Sequence, residues 1–211
     1  MRIAPRFFRQ LAAICLIVAP AVTCRAADDQ PLQVTPKLIG QEYCYGDAEV
    51  YAVRLTLRMK YINGTDKTLI LDKEIGVAWY GVAVARNTED LNAGKYEYHP
   101  NIDWMTSGPP NVPSPHSPGP DFVILAPGRS FTNEIDATVV AQYDGPSDFA
   151  GSIRSGTHML RLDLSSWNHS GEASKFEESW RRYGRLVTGV IKSEPLEIVV
   201  PSNPKVKKKC G

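Results

Sequence analysis

Tyr51-Ala52-Val53-Arg54-Leu55-Thr56-Leu57-Arg58-Met59-Lys60-Tyr61 alternates apolar and polar side chains almost without a break. Successive side chains of a strand point to opposite faces, so this period of two predicts a β-strand with one buried and one wet face. The strand stops at Asn63-Gly64-Thr65-Asp66, residue types that favour tight turns, and Thr68–Leu71 resumes as a short strand. The pair reads as a hairpin.

Outward from this segment the same signals recur. Ile75–Ala85 is apolar on both faces and predicts a central strand buried on both sides. Phe122–Leu125 reads as a strand that ends at Ala126-Pro127-Gly128, with Pro and Gly in type II turn order. Phe131, Ile135, Ala137, Val139 and Ala141 then give a half-buried strand, Leu160, Leu162 and Leu164 another, and Leu196, Ile198 and Val200 the last before Pro201. In Glu172–Tyr183 the residues Phe176, Trp180 and Tyr183 form one helical stripe, with Gly184 as a C-terminal stop. Seven prolines fall between Pro100 and Pro120. Proline lacks the N–H that a ladder needs, so residues 100–121 predict a long loop inserted between strands.

The amino terminus carries Arg2, Arg6 and Arg9, an apolar run from Leu11 to Val22, and small residues at Cys24 and Ala26. Those are the parts of a secretory signal peptide over residues 1–26, cut after Ala26. The apolar run is shorter than the ~20 residues of a bilayer span. The alternatives are an uncut anchor or a lipid on Cys24, for which Ala21-Val22-Thr23 is a poor leader. Export implies the periplasm or the outside of the cell.

Removing the four arginines of residues 1–26 leaves 20 basic against 23 acidic side chains, a net charge of −3 on 185 residues. That length suits one domain over residues 50–200, preceded by a 27–49 segment and followed by a Lys-rich tail, 201–211. The balance gives no footprint for nucleic acid, and no later segment is apolar enough to span a membrane. Cys44 and Cys210 remain after the signal is lost. In an oxidising compartment an even pair suggests a disulfide, the alternative being two thiols.

Three pieces, in order, carry a resemblance. Residues 61–71, Tyr61-Ile62-Asn63-Gly64-Thr65-Asp66-Lys67-Thr68-Leu69-Ile70-Leu71, resemble a hairpin of immunoglobulin-like domains in exported bacterial proteins. Ile124-Leu125-Ala126-Pro127-Gly128-Arg129-Ser130-Phe131 resembles their "L-x-P-G-x-S" edge, and Gly156–Leu162 a late strand with His158 at a usually aromatic position. The order is similar to that of BsuPI-like proteinase-inhibitor domains. The resemblance spans roughly residues 50–165 and implies an immunoglobulin-like antiparallel β-sandwich, here with a Pro-rich loop and one short helix. Its motifs encode turns and strand starts, so it supplies no inhibitory residue.

No chemical constellation stands out. His99, His116, His158 and His169 lie at no metal-ligand spacing. There is no Gly-x-Ser-x-Gly and no phosphate-binding glycine loop. Neither a cofactor, a metal nor a catalytic residue is expected. Asn63 and Asn168 match the glycosylation pattern, the first better explained as a turn. Tyr96, Tyr98, His99 and Trp104 are the candidate ligand-binding residues, because aromatics on a wet loop can stack on a sugar or clasp a peptide. The expected function is a non-catalytic binding or structural module contacting a protein or glycan of the cell envelope through residues 86–121. The alternatives are a hydrolase assembled around His99 and Asp103, or a protease inhibitor.

Overall fold

The computed structural model describes residues 30–45, 49–77, 80–100, 116–145, 149–166 and 170–209. The chain is mostly β. In order run β1 (Leu32–Tyr45), β2 (Val50–Asn63), β3 (Leu69–Asp72), β4 (Tyr80–Ala85), α1 (Thr88–Asn92), β5 (Phe122–Leu125), β6 (Ser130–Gln142), β7 (Gly156–Ser166), α2 (Ser170–Trp180), β8 (Arg185–Leu186), β9 (Gly189–Lys192) and β10 (Leu196–Val200). They form three sheets: β1-β2-β6, β10-β7-β4 with β9 also on β7, and β5-β3-β8. Among the described residues no helix is long and apolar enough to cross a membrane.

The alternation in residues 51–61 is realised in full. Tyr51, Val53, Leu55, Leu57, Met59 and Tyr61 are all buried in one core with Ile135, Ala137 and Val139 of β6 and Leu160, Leu162 and Leu164 of β7. Burial pushes the Tyr61 phenol well above its usual range, and its hydroxyl donates to the Ile75 carbonyl. On the wet face the polar residues pair across to β6. Arg54 and Thr56 both donate to Asp136, at 2.6 and 2.8 Å, and Arg58 meets Glu134 at 2.9 Å. Those bonds hold the Asp136 carboxyl below the usual carboxylate range, Arg54 first and Thr56 next. Such exposed pairs fix register more than they stabilise.

The turn at residues 63–66 is not a hairpin. The two edges of β2 pair with β1 and β6, and β3 pairs with β5 and β8, so the chain leaves the first sheet for the third here. The Ala126-Pro127-Gly128 turn makes the return crossing from β5 to β6, with Arg129 N–H donating to the Ala126 carbonyl and Gly128 at φ 70°. Asn63 pins both crossings. Its buried amide donates to the Lys67 and Leu125 carbonyls, each at 2.8 Å, and its side-chain oxygen accepts from the Thr65 N–H and hydroxyl. Its backbone completes the knot with Arg129 and Gly128.

Other expectations change in detail. Ile75–Ala85 is not one strand. Residues 73–77 turn, with Gly76 at φ 74°, and a Cβ there would sit within 2.7 Å of Leu164 and Ile135 side chains. The strand begins at Tyr80, and its second face is covered by α1, whose Leu91 packs on Ala83 and Ala85. The 27–49 segment holds β1, paired with β2 from Leu32↔Asn63 to Tyr45↔Tyr51, with a bulge at Leu38/Gly40. The helix spans Ser170–Trp180 rather than 172–183. Within the Pro-rich loop, residues 101–115 lie outside the described residues.

Replacing Asn63 by Ala takes the amide donor from the buried Leu125 carbonyl and from the part-buried Lys67 carbonyl, which keeps the Thr65 hydroxyl at 3.1 Å. Unmet buried groups cost roughly 1–3 kcal/mol each. Urea unfolding of Asn63→Ala is expected to show a loss of about 3 kcal/mol, against about 1 kcal/mol for Thr65→Ala, which removes a hydroxyl bonded to Asn63 and to the Lys67 backbone on the exposed side of the turn.

Candidate functional site

Helix α2 lies on the outer face of the third sheet. Phe176 and Trp180 are buried with Ile70 of β3, Phe122 of β5 and Leu186 of β8. The Trp180 ring meets Phe122 edge-on at 5.0 Å and Phe176 at 4.8 Å. Burying two such aromatics fixes the helix axis against the sheet. Beyond Trp180 the chain turns sharply, with Tyr183 N–H donating to the Trp180 carbonyl at 2.7 Å. Gly184 then passes so close to β3 that a Cβ would lie 2.7 Å from the Thr68 carbonyl oxygen, at a φ of 152°. Arg185 N–H donates to that same oxygen at 2.9 Å and starts β8, parallel to β3.

This junction of the 64–68 turn, the end of α2 and β8 encloses an open cavity of about 590 Å³. Among the described residues its walls carry four cations, Lys67, Arg181, Arg182 and Arg185, with Tyr183 and a single carboxylate, Glu177. Arg182 is committed to the wall. Its guanidinium lies 4.7 Å from the Tyr183 ring centroid and donates to the Tyr183 hydroxyl at 2.8 Å and to the His116 carbonyl at 3.1 Å. Among the described residues, no carboxylate lies within 4.0 Å of the side-chain nitrogens of Lys67, Arg181 or Arg185. The His116 contact ties the far end of the Pro-rich loop to the cavity rim.

Two of the aromatic candidates meet. Tyr96 and His99 stack on each other, ring centroids 4.7 Å apart and 18° from parallel, and Arg161 donates to the Tyr96 hydroxyl at 3.1 Å. Tyr98 belongs to the core at 9% exposure, its backbone bridged to Val84, and burial raises its phenol pKa. It presents no face for stacking on a ligand. Trp104, and Asp103 of the hydrolase alternative, lie outside the described residues. His158 is wholly buried, with Nδ1 2.8 Å from Glu97 Oε2 and Nε2 2.8 Å from the Arg154 carbonyl. Arg86 holds the other oxygen of Glu97. Both ring nitrogens are occupied, so this group is a structural pin and offers no lone pair to a substrate or metal. Among the described residues, no three His, Cys, Asp or Glu side chains converge as a metal site would. The cavity itself was missed in the sequence. Arg181-Arg182-Tyr183-Gly184-Arg185 shows the cations plainly, but nothing in it announces Lys67 or the concavity.

Gly184→Ala tests how this wall is held. The added methyl would strike a backbone oxygen at a strained φ, so a loss of about 2–3 kcal/mol is expected in urea unfolding. Hydrogen exchange should accelerate over residues 181–186. The control, Gly128→Ala, has a φ of 70° and open space around it, so it should cost only about 1 kcal/mol.

Compared with family models, with curated proteins and with solved structures, the chain matches none.

Proposed function

We propose that this chain is an exported, non-catalytic binding module of the periplasm or cell exterior, built as an immunoglobulin-like β-sandwich, with its ligand held in the cavity between α2, β8 and the 64–68 turn. The observation that carries this reading is the cavity. Three separate elements converge on it and leave three cations facing open space. A volume near 590 Å³ falls within the ~300–1,000 Å³ of small-molecule sites. The Pro-rich loop remains part of the contact surface, because Arg182 joins His116 to the cavity rim. The sandwich reading is supported by the two crossings at Asn63, which pass between sheets that share one core.

The binding reading is tested with mono- and disaccharides, neutral and acidic, and with short envelope peptides. A ligand at a hundred times its Kd should raise the melting temperature by about 5–10 °C. It should also protect residues 67–68 and 181–186 from hydrogen exchange. Protection confined to another face, or no ligand that stabilises the protein, would rule the cavity out.

Export and a disulfide belong to the same reading. Cys44 is buried near the end of β1, and Lys207 bridges to it in parallel, with Lys207 N–H donating to the Tyr43 carbonyl at 2.9 Å. Cys210 follows three residues later. A Cys44–Cys210 bridge would close nearly the whole domain, and loops of that length gain close to 5 kcal/mol in the chain-entropy picture. The intact mass of protein recovered from the cell envelope should begin at Ala27 and be lighter than the dithiol form by two hydrogens. A chain still beginning at Met1, or one that takes up a thiol reagent without prior reduction, would count against export or the bridge respectively.

A further inference from the structure

The cavity collects positive charge on a chain that is acidic once its amino-terminal 26 residues are set aside. Arginines on and beside the strands are paired locally: Arg54 with Asp136, Arg58 with Glu134, Arg86 with Glu97 and Arg161 with Asp163, whereas among the described residues the strand lysines Lys37, Lys60 and Lys192 stand singly. In the cavity the cations are gathered together. Four cations share one carboxylate, and Glu177 lies more than 4.0 Å from each of their charged nitrogens. The negative end of the α2 dipole accounts for Arg181 and Arg182, which follow the helix directly. It does not account for Lys67, which arrives from the 64–68 turn, or for Arg185, which belongs to β8. Like charges drawn from three elements repel one another, less so where water and salt screen them, and an anion between them would relieve that repulsion.

Arg182 is already spent on Tyr183 and His116. That leaves two guanidinium forks and one ammonium. Guanidinium forks match the paired oxygens of an oxyanion, and a lysine adds a point charge. Four cations against Glu177 leave about three positive charges, because the partners of Arg182 are uncharged, and a phosphate monoester near neutral pH would offset about two of them. The volume admits a body of one or two sugar rings beside the phosphate, and Tyr183 supplies an aromatic wall.

We propose that the cavity is a phosphate-monoester site in which Lys67, Arg181 and Arg185 clasp the phosphoryl oxygens and Tyr183 flanks the organic body. This rests on the binding-module reading and names its ligand class. The monoester can belong to a soluble sugar phosphate or to a lipid headgroup. The chemistry is shared, and the source is decided by which probe binds.

Titration calorimetry with glucose 6-phosphate, with glucose as the neutral control, tests the soluble source. Sedimentation with vesicles containing phosphatidic acid, against vesicles of phosphatidylcholine alone, tests the headgroup. Either phosphate probe should bind and its neutral control should not, with affinity falling as salt rises. Arg181→Gln and Arg185→Gln should each weaken binding about tenfold or more, and Lys67→Gln by a similar factor. Arg185→Lys should recover part of the loss. All three side chains are exposed, so circular dichroism and the melting temperature of the variants should match those of the parent. Unchanged affinity in Arg181→Gln and Arg185→Gln would overturn the proposal, since the phosphate would then be binding elsewhere. Failure of both phosphate probes, while a neutral sugar still protects residues 181–186 from exchange, would sink the phosphate assignment and leave the binding module standing. If no compound of either kind protects those residues, both readings fall.

Discussion

One primary amide holds the architecture together. Asn63 sits where two passes of the chain cross between the first and third sheets, and its side chain meets carbonyls or donors from both turns. Backbone groups in a turn cannot satisfy one another as they do in a ladder, and burial removes water as a partner. An amide offers two donors and an acceptor in one plane, which neither a carboxylate nor a hydroxyl can do. With that corner fixed, β3 is delivered beside β5 with its Leu69 and Leu71 facing the shared core and Ile70 facing outward. The outward Ile70 is what α2 covers. The helix, and with it the cavity, depends on a bond network made on another part of the same turn.

The cavity is a by-product of that geometry. Trp180 and Phe176 decide where the helix lies, Gly184 lets the chain touch β3, and the Thr68 carbonyl receives the Arg185 N–H. Each step is local and inexpensive in free energy. Their sum places Arg181, Arg182 and Arg185, which are near in sequence, against Lys67, which is more than a hundred residues away. Charge is therefore concentrated by packing of apolar side chains, and the rim residues need no buried ion pair to reach their positions.

Much of this was legible in residues. The alternation of Tyr51–Tyr61, the half-buried run of β6, the leucines of β7, the Phe176–Trp180 stripe and the last strand all follow from period and burial. What the alternation could not say is which sheet the next strand joins. A turn signal such as Asn63-Gly64 specifies a change of direction, and either a hairpin or a crossing between sheets satisfies it. Strand β1 was hidden by Pro36 and by the bulge at Leu38/Gly40, which break the period. An edge strand tolerates both. Gly76 looked compatible with a strand until its positive φ showed a turn pressed against Leu164 and Ile135. Tyr98 looked like its neighbour Tyr96, but its pairing with Val84 turns it inward. The cations of residues 181–185 lie close together in the chain, whereas their meeting with Lys67 is a long-range fact.

Strand β8 is joined to β3 through only two residue pairs, Leu69↔Arg185 and Ile70↔Leu186. The first sheet, by contrast, is zipped along thirteen-residue registers on both sides of β2. Cooperative units with few pairings open before those with many. Among the described strands β8 has the fewest ladder pairs, so on warming its pairing should open before the long strands part. Anything seated against β8 in the cavity would then be set free by a partial, reversible melting, without loss of the scaffold that recaptures it on cooling.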